Sequence, residues 1–160
     1  MFRRLISTEN DPATAIVRVV LGLIFFAHGS QKALGWFGGN GFSATMGFFT
    51  GMMHIPPPLA FLAICAEFLG GLGLLVGLLA RIAALGIAVN MVVAIATVHY
   101  QFGFFMNWFG NQKGEGFEYH LLVIGMALLI IVRGAGAFSL DHLLAGGSHS
   151  GRNDLATSHR

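Results

Sequence analysis

The chain has 160 residues, of which 55% are hydrophobic and only 10% are charged, and it contains 23 glycines. This composition excludes an ordinary soluble domain and indicates a small membrane protein. The formal net charge of +2 is spread along the chain without a basic block, so nothing supports nucleic-acid binding, and the single cysteine excludes an internal disulfide.

The first predicted element is a membrane span over residues 13–34, which Asp11 begins as N-cap before a proline. No small-residue cleavage site follows this apolar run, so we interpret it as an uncleaved helix. Gly22 and Gly29 lie seven residues apart on one face, which predicts close packing against another helix. Arg18 lies one turn inside the span, and we expect its side chain to reach lipid phosphates.

The segment over residues 35–58 is too rich in glycine and proline to span, yet too rich in phenylalanine and methionine for an ordinary wet loop. We predict that it lies at the membrane interface and contains a short in-plane helix, which Ser43 caps.

The second predicted span covers residues 59–79 and carries one carboxylate, Glu67. At about 1.5 Å per residue, Glu67 lies roughly 12 Å from the start of this helix, near the centre of a hydrocarbon layer about 30 Å thick. A charge is costly at that depth. We therefore predict that Glu67 faces a neighbouring helix or a cavity, where it is protonated or paired.

After a tight turn, a third span over residues 82–102 includes Asn90, which we expect to form an interhelical hydrogen bond, and ends at His99. In a straight helix, nine residues at about 100° each place Asn90 and His99 on nearly opposite faces, so we expect that the two cannot both face Glu67 directly. A second aromatic loop leads to the fourth span, over residues 117–133.

We predict that Ser139 caps a short C-terminal helix and that residues 146–160 form a disordered tail. The fold class is therefore all-α: a four-helix transmembrane bundle over residues 13–145, with short interfacial helices in the first outer loop and at the C-terminus. The distribution of Lys and Arg predicts that both termini, including residues 1–12, are cytoplasmic and that both aromatic loops face outward.

Several motifs resemble one family in their order and spacing. They are HGSQK at residues 28–32, AEFLGGLGLLVGLLAR at 66–81, His99 and GAGAFSLD at 134–141. Together they resemble the DoxX family of small bacterial membrane proteins, with Ala135 standing where a proline is expected.

The resemblance implies a four-helix protein of the bacterial cytoplasmic (inner) membrane with a redox-linked or accessory role. Some members are regarded as membrane subunits of sulfur-compound oxidation that pass electrons to quinone. Others are regarded as membrane anchors for an oxidative-stress enzyme assembly. The resemblance does not decide whether the chain is itself an enzyme.

Polar side chains from all four spans are expected to converge in the outer half of the bundle. The candidate binding residues are His28, Lys32, Glu67, Asn90, His99 and Glu118. Because histidine titrates near neutral pH and a buried acid can relay a proton, we hypothesise an outward-facing pocket that binds quinone or a sulfur compound. In a purely structural alternative, His28 and Lys32 contact lipid head groups, His99 and Glu118 form an ion pair, and Glu67 is a protonated hydrogen-bonded acid.

Other cofactors and functions receive less support from the sequence. Haem between His28 and His99 is a disfavoured alternative, and the tight ligand pairs typical of zinc sites are missing. A second hypothesis is a non-enzymatic scaffold whose cytoplasmic surface, around Arg81 and residues 139–144, recruits a soluble oxidoreductase or stress enzyme. A third is a homo-oligomeric transporter of a small solute or lipid, although broken midplane helices are missing.

Overall fold

The computed structural model describes residues 5–146. Residues 1–4 and 147–160 lie outside this range, and with them lies nearly all of the tail predicted over residues 146–160.

The described residues form α-helices, short 3-10 and π turns, and connecting loops, with no β-strand among them, which confirms the all-α prediction. The helices are α1 (Pro12–Leu34), α2 (Gly41–Gly47), α3 (Pro57–Val76), α4 (Ala80–Ala94), α5 (Glu118–Arg133) and α6 (Leu140–Gly146). Two π turns, Phe48–Met52 and Ile95–His99, follow α2 and α4, and α4 continues through its π turn to Phe102.

Three helical stretches among the described residues are long and apolar enough to cross a membrane: Pro12–Leu34, Pro57–Val76 and Ala80–Phe102. Helix α5 packs beside α4 and α1 but has 16 residues. At about 1.5 Å per residue its length is roughly 24 Å, shorter than a hydrocarbon layer about 30 Å thick. The fourth crossing therefore stays a prediction.

Helix α1 begins as its sequence predicts. The Asp11 carboxylate accepts hydrogen bonds from the backbone N–H groups of Ala13 and Thr14, both at 3.1 Å. The predicted cap at Ser43 is wrong, because α2 begins two residues earlier, where the chain turns through Gly41 at a φ of 77°. Ser43 consequently lies inside the helix.

Helices α1 and α3 pack antiparallel with their backbones in close approach. A Cβ at Gly29 would overlap the backbone of Phe68, and a Cβ at Gly71 would overlap the backbone of Phe26. A Cβ at Gly22 would lie 2.9 Å from the backbone nitrogen of Leu75. The predicted packing face of α1 is therefore confirmed.

Arg18 does not reach toward lipid phosphates, so that expectation is wrong. Its side chain is 1% exposed, and its five N–H groups all donate to backbone carbonyls. The acceptors are the carbonyl oxygens of Leu74, Leu75, Ala135, Ala137 and Phe138. The last carbonyl groups of a helix lack the hydrogen-bond partners that interior ones have. Arg18 donates to carbonyl groups at the end of α3 and also to carbonyl groups after α5, so it holds the two segments together.

Asp141 completes this arrangement. Its carboxylate accepts hydrogen bonds from the backbone N–H groups of Leu79 at 2.8 Å and Ala80 at 3.0 Å, where α4 begins. Ser139 caps α6 as predicted, since its hydroxyl accepts a hydrogen bond from the backbone N–H of His142 at 3.2 Å. We call Arg18, Asp141 and the backbone groups they bind the Arg18 network, and the end of the bundle that holds it the terminal end.

Candidate functional site

The opposite end of the bundle, which we call the loop end, carries both aromatic loops. Between the helices at this end lies a cavity of about 520 Å³, which we call the main cavity. This volume falls within the roughly 300–1,000 Å³ typical of small-molecule sites. The polar or ionisable side chains that line it are His28, Lys32, Glu67, His99, Glu115, Tyr119 and His120.

An ion pair joins α1 to α3 at the inner part of this cavity. Lys32 Nζ donates to Glu67 Oε2, and the two side chains are 31% and 8% exposed, respectively. Glu67 thus faces the bundle interior, as its depth in the sequence indicates. The pairing with Lys32 was not foreseen, although Lys32 is the cation nearest the loop end of α1 and was itself a candidate residue.

Two imidazole rings lie against each other on the other side of the cavity. The ring centroids of His99 and His120 are 4.1 Å apart, and His99 Nδ1 lies 2.8 Å from the carbonyl oxygen of Glu115. His120 is 6% exposed. Within residues 5–146, neither His120 Nδ1 nor the buried Tyr119 hydroxyl has a hydrogen-bond partner. Buried polar atoms rarely lack a hydrogen-bond partner, so these two atoms are available to a ligand.

The sequence reasoning missed Tyr119 and His120. A signal was present, because these two polar side chains directly follow Glu118 at the start of an otherwise apolar helix. Glu118 itself does not line the main cavity. Its Oε1 accepts hydrogen bonds from the backbone N–H of Met106 at 2.9 Å and from Trp108 Nε1 at 3.3 Å, so it holds the second aromatic loop in place.

The predicted hydrogen bond of Asn90 is confirmed, since its Nδ2 donates to the carbonyl oxygen of Ala63 at 2.8 Å. The expectation that Asn90 and His99 lie on opposite faces assumes a straight helix, and the chain does not stay a straight α-helix between them. Both line a smaller cavity of about 190 Å³ together with Glu67. The cause is the π turn Ile95–His99, whose i to i+5 hydrogen bonds rotate the chain less per residue than an α-helix does.

The structure also bears on the suggested ion pair of His99, on the position of His28 and on metal binding. His99 contacts the backbone of Glu115, so the suggested ion pair of His99 with Glu118 is wrong. His28 is exposed and lies at the rim of the main cavity. In the part of the chain that the structure describes, no group of three or more His, Cys, Asp or Glu side chains is arranged to hold a metal ion.

Comparisons with known proteins identify a family and two relatives. A model of the DoxX family matches residues 13–100. The Bacillus subtilis (strain 168) protein named "Putative oxidoreductase CatD" is 31% identical over 138 residues, which cover 86% of this chain and 91% of that protein. The Escherichia coli (strain K12) protein named "Inner membrane protein YqjF" is 30% identical over 135 residues, which cover 84% of this chain and 94% of that protein. No solved structure matches.

Proposed function

Because the chain belongs to the DoxX family of membrane proteins, we propose that it is a redox-associated membrane subunit that binds a quinone head group in the main cavity. The name of the relative CatD supports a redox association for that relative. That name does not identify a substrate, so the proposed ligand rests on the residues of the main cavity.

The observation that carries the proposal concerns two buried polar atoms, the Tyr119 hydroxyl and His120 Nδ1. Four buried side-chain polar atoms have no hydrogen-bond partner in the described chain, and these are the two whose side chains line the main cavity. Both side chains line the main cavity, whose other walls include Ile24, Phe25 and Met91. A buried donor without a partner costs about 1–3 kcal/mol. A quinone offers carbonyl oxygens that accept hydrogen bonds from the Tyr119 hydroxyl and from His120 Nδ1 in the tautomer that carries its proton there, together with a ring that packs on apolar walls.

The charge balance favours a quinone over a sulfur oxyanion. Lys32, the lysine that lines the main cavity, is already paired with Glu67. An anion entering the site would have to displace that carboxylate, and a buried charge without a partner is costly. A neutral carbonyl ligand needs no such exchange.

We further propose that α5 crosses the membrane together with the three longer stretches, which gives a multi-pass protein of the cytoplasmic membrane with both termini inside. Helix α5 is only about 6 Å shorter than the hydrocarbon layer, and a small hydrophobic mismatch costs only fractions of a kcal/mol per ångström. Reporter fusions at the C-terminus and at Lys113 test this topology. A reporter active on the same side at both positions would contradict it.

The binding proposal is tested with purified protein in lipid nanodiscs, titrated with a head-group quinone that lacks a long tail. We expect saturable binding, weakened about five- to tenfold by Tyr119→Phe and by His120→Gln, since one hydrogen bond contributes about 1 kcal/mol.

The chain offers matched controls for both substitutions. Tyr100, its other tyrosine, is 73% exposed and lies outside the main cavity, and His142 lies on α6 at the terminal end. Tyr100→Phe and His142→Gln should bind as the wild type does. Absence of saturable binding, or equal effects of the cavity variants and the controls, would overturn the proposal. Competition by thiosulfate at low concentration would favour the sulfur-compound alternative.

The scaffold hypothesis keeps one supporting observation. Phe138 and Leu143 are 90% and 68% exposed beside the terminal end, where a soluble oxidoreductase could bind. Deleting residues from 137 onward is a poor test, because it removes carbonyls that Arg18 binds. Leu143→Ser leaves those contacts intact. Loss of a co-purifying oxidoreductase in that variant, with quinone binding unchanged, would favour the scaffold.

The transporter hypothesis is less well supported. Leu21, Phe25 and Leu74 are fully or almost fully buried between the main cavity and the terminal end. They fill the path that a solute would need to cross the bundle.

A further inference from the structure

We propose that the smaller cavity binds the apolar tail of the same ligand whose head group lies in the main cavity, and that it opens sideways toward the membrane lipid. This inference rests on the proposed function, because it concerns a lipophilic ligand of that site. It adds a second binding region and identifies the ligand class as a quinone with a hydrocarbon tail.

The two cavities meet at the ion pair. Lys32, Glu67 and His99 line both of them. A molecule in the main cavity therefore lies next to the smaller cavity, on the other side of these shared side chains. A ligand with two chemically different parts could occupy both at once.

The smaller cavity is suited to an apolar group. Its walls include Phe48, Phe49 and Met53 from the first aromatic loop. Besides Lys32, Glu67 and His99, which it shares with the main cavity, its polar side chains are Asn90 and Thr97, which donate to the carbonyls of Ala63 and Val93, both at 2.8 Å. Away from the three shared side chains most of the lining is apolar, so a hydrocarbon chain fits that part of the cavity better than a second polar head group does.

The backbone of the walls is a second, independent indication of a binding site. One wall contains the π turn Phe48–Met52 and the other contains the π turn Ile95–His99. Such turns account for well under 1% of residues in proteins and occur frequently at functional sites. Here two of them border one cavity.

The exposure of the rim gives the direction of the opening. Val93 is 42% exposed, and Thr97 and Phe48 are exposed as well. These residues lie on the outer surface of α4 and of the first aromatic loop, which would contact lipid in a membrane. A tail in the smaller cavity can therefore continue into the bilayer.

Photo-crosslinking with a decyl-tailed benzoquinone tests this inference directly on the wild-type protein in nanodiscs. One probe carries a diazirine near the end of the tail, and a second carries it on the head group. We expect tail adducts within residues 48–55 and 93–98, and head-group adducts near Tyr119 and His120. Tail adducts confined to α5 or spread over the lipid-facing surface would overturn the inference.

A substitution that fills the smaller cavity provides the second measurement. Val98→Trp should weaken binding of the decyl quinone at least tenfold and leave binding of the tailless head-group quinone unchanged. Val92, which is 55% exposed and lies outside both cavities, provides the matched control Val92→Trp.

The outcomes separate this inference from the proposed function. If the head-group quinone binds and Val98→Trp affects neither ligand, the tail site is wrong and the head-group site stands. If the head-group quinone does not bind to the wild type at all, the proposed function fails and the tail site fails with it.

Discussion

Helix α1 carries one largely buried cation toward each end of the bundle, and the two have different surroundings. At the terminal end, Arg18 donates all five of its N–H groups to carbonyl oxygens of the surrounding backbone. At the loop end, Lys32 donates to one carboxylate, that of Glu67, and both side chains border cavities. The first cation is completely satisfied by the protein, whereas the second lies beside polar atoms that have no partner in the described chain.

The different surroundings of the two cations indicate different roles for two of the family motifs, GAGAFSLD and HGSQK. A fully satisfied buried polar network rigidifies a fold. A buried polar atom without a partner needs an explanation, and at the loop end the explanation that we propose is a bound ligand. The GAGAFSLD segment supplies carbonyls to Arg18 and the carboxylate of Asp141, so it holds the fold together. The HGSQK segment supplies His28 and Lys32 to the main cavity. We therefore expect substitutions at the two ends to affect different properties.

The largest effect on stability is expected for Arg18→Leu. This change removes five hydrogen bonds from the side chain to carbonyl oxygens, and three of these bonds are buried. Breaking a buried charged network typically costs about 3–5 kcal/mol. A protein of this length should then melt roughly 10 °C lower, which thermal unfolding in detergent measures.

Arg133→Leu is the matched control at the same end. Arg133 is about half exposed and pairs with Glu9 and Asp11 at 3.1 Å and 3.8 Å. Exposed ion pairs contribute about 0–1 kcal/mol, so this variant should melt within a few degrees of the wild type. Equal losses in the two arginine variants would show that the Arg18 network is not the stabilising feature of this end.

A double-mutant cycle on Lys32 and Glu67 should give the next largest effect. Glu67→Gln leaves a partly buried ammonium without its partner, and we expect a loss of about 1–3 kcal/mol, reduced by the 31% exposure of Lys32. Combining it with Lys32→Met removes both charges and should recover most of the stability. Because both residues border both cavities, binding of the decyl quinone should stay at least tenfold weaker in the double variant.

The two readouts of this cycle are independent. Recovery of stability without recovery of binding would support a ligand-binding role for the loop end. If quinone binding returns together with the melting temperature, the ion pair is only structural. The contrast between the two ends would then disappear.

Local sequence patterns predicted the features of the fold that depend on neighbouring residues. The cap at Asp11, the cap at Ser139 and the inward orientation of Glu67 each follow from a residue type at a given place in a helix. The close packing of α1 followed from the spacing of its glycines, such as Gly29. These features require no knowledge of distant segments.

The features that the sequence did not predict depend on distant or irregular backbone. The Nε of Arg18 binds the carbonyl of a residue 117 positions later, which no local pattern indicates. The π turn Ile95–His99 contains neither glycine nor proline, yet it brings His99 to the same cavity as Asn90. Glu118 was expected in the site, but the folded loop binds its carboxylate and leaves the next two residues to line the cavity.

A smaller effect is expected for Asp141→Ala. This substitution removes the acceptor for two backbone N–H groups, those of Leu79 and Ala80. Loss of such a cap typically costs about 0.5–2 kcal/mol, so the melting temperature should fall by a few degrees. Quinone affinity should stay at the wild-type value, because Asp141 is remote from both cavities. Weaker quinone binding in this variant would show that the terminal end also shapes the site.

The smallest effect concerns Asp11, the N-cap of α1, and depends on pH. Hydrogen bonds from the Thr14 hydroxyl, from the backbone N–H groups of Thr14 and Ala13, and the nearby charge of Arg133 hold the pKa of this carboxyl below its ordinary value of 3.8. A carboxylate with a lowered pKa in the folded state stabilises the protein above the unfolded pKa. That stabilisation is lost as the pH falls from about 3.8 through the lower folded value.

Asp11→Asn isolates this contribution, because asparagine caps helices about as well as aspartate does but does not titrate. At pH 6 the variant and the wild type should melt at nearly the same temperature. Below pH 3.8 the wild type should lose more stability than the variant, which melting curves at pH 3 and pH 6 measure. Because Asp11 lies at the terminal end, quinone affinity at pH 6 should be identical in the two proteins. A difference in affinity would mean that the two ends are energetically coupled, since an isosteric change at one end can alter binding at the other only through the helices between them.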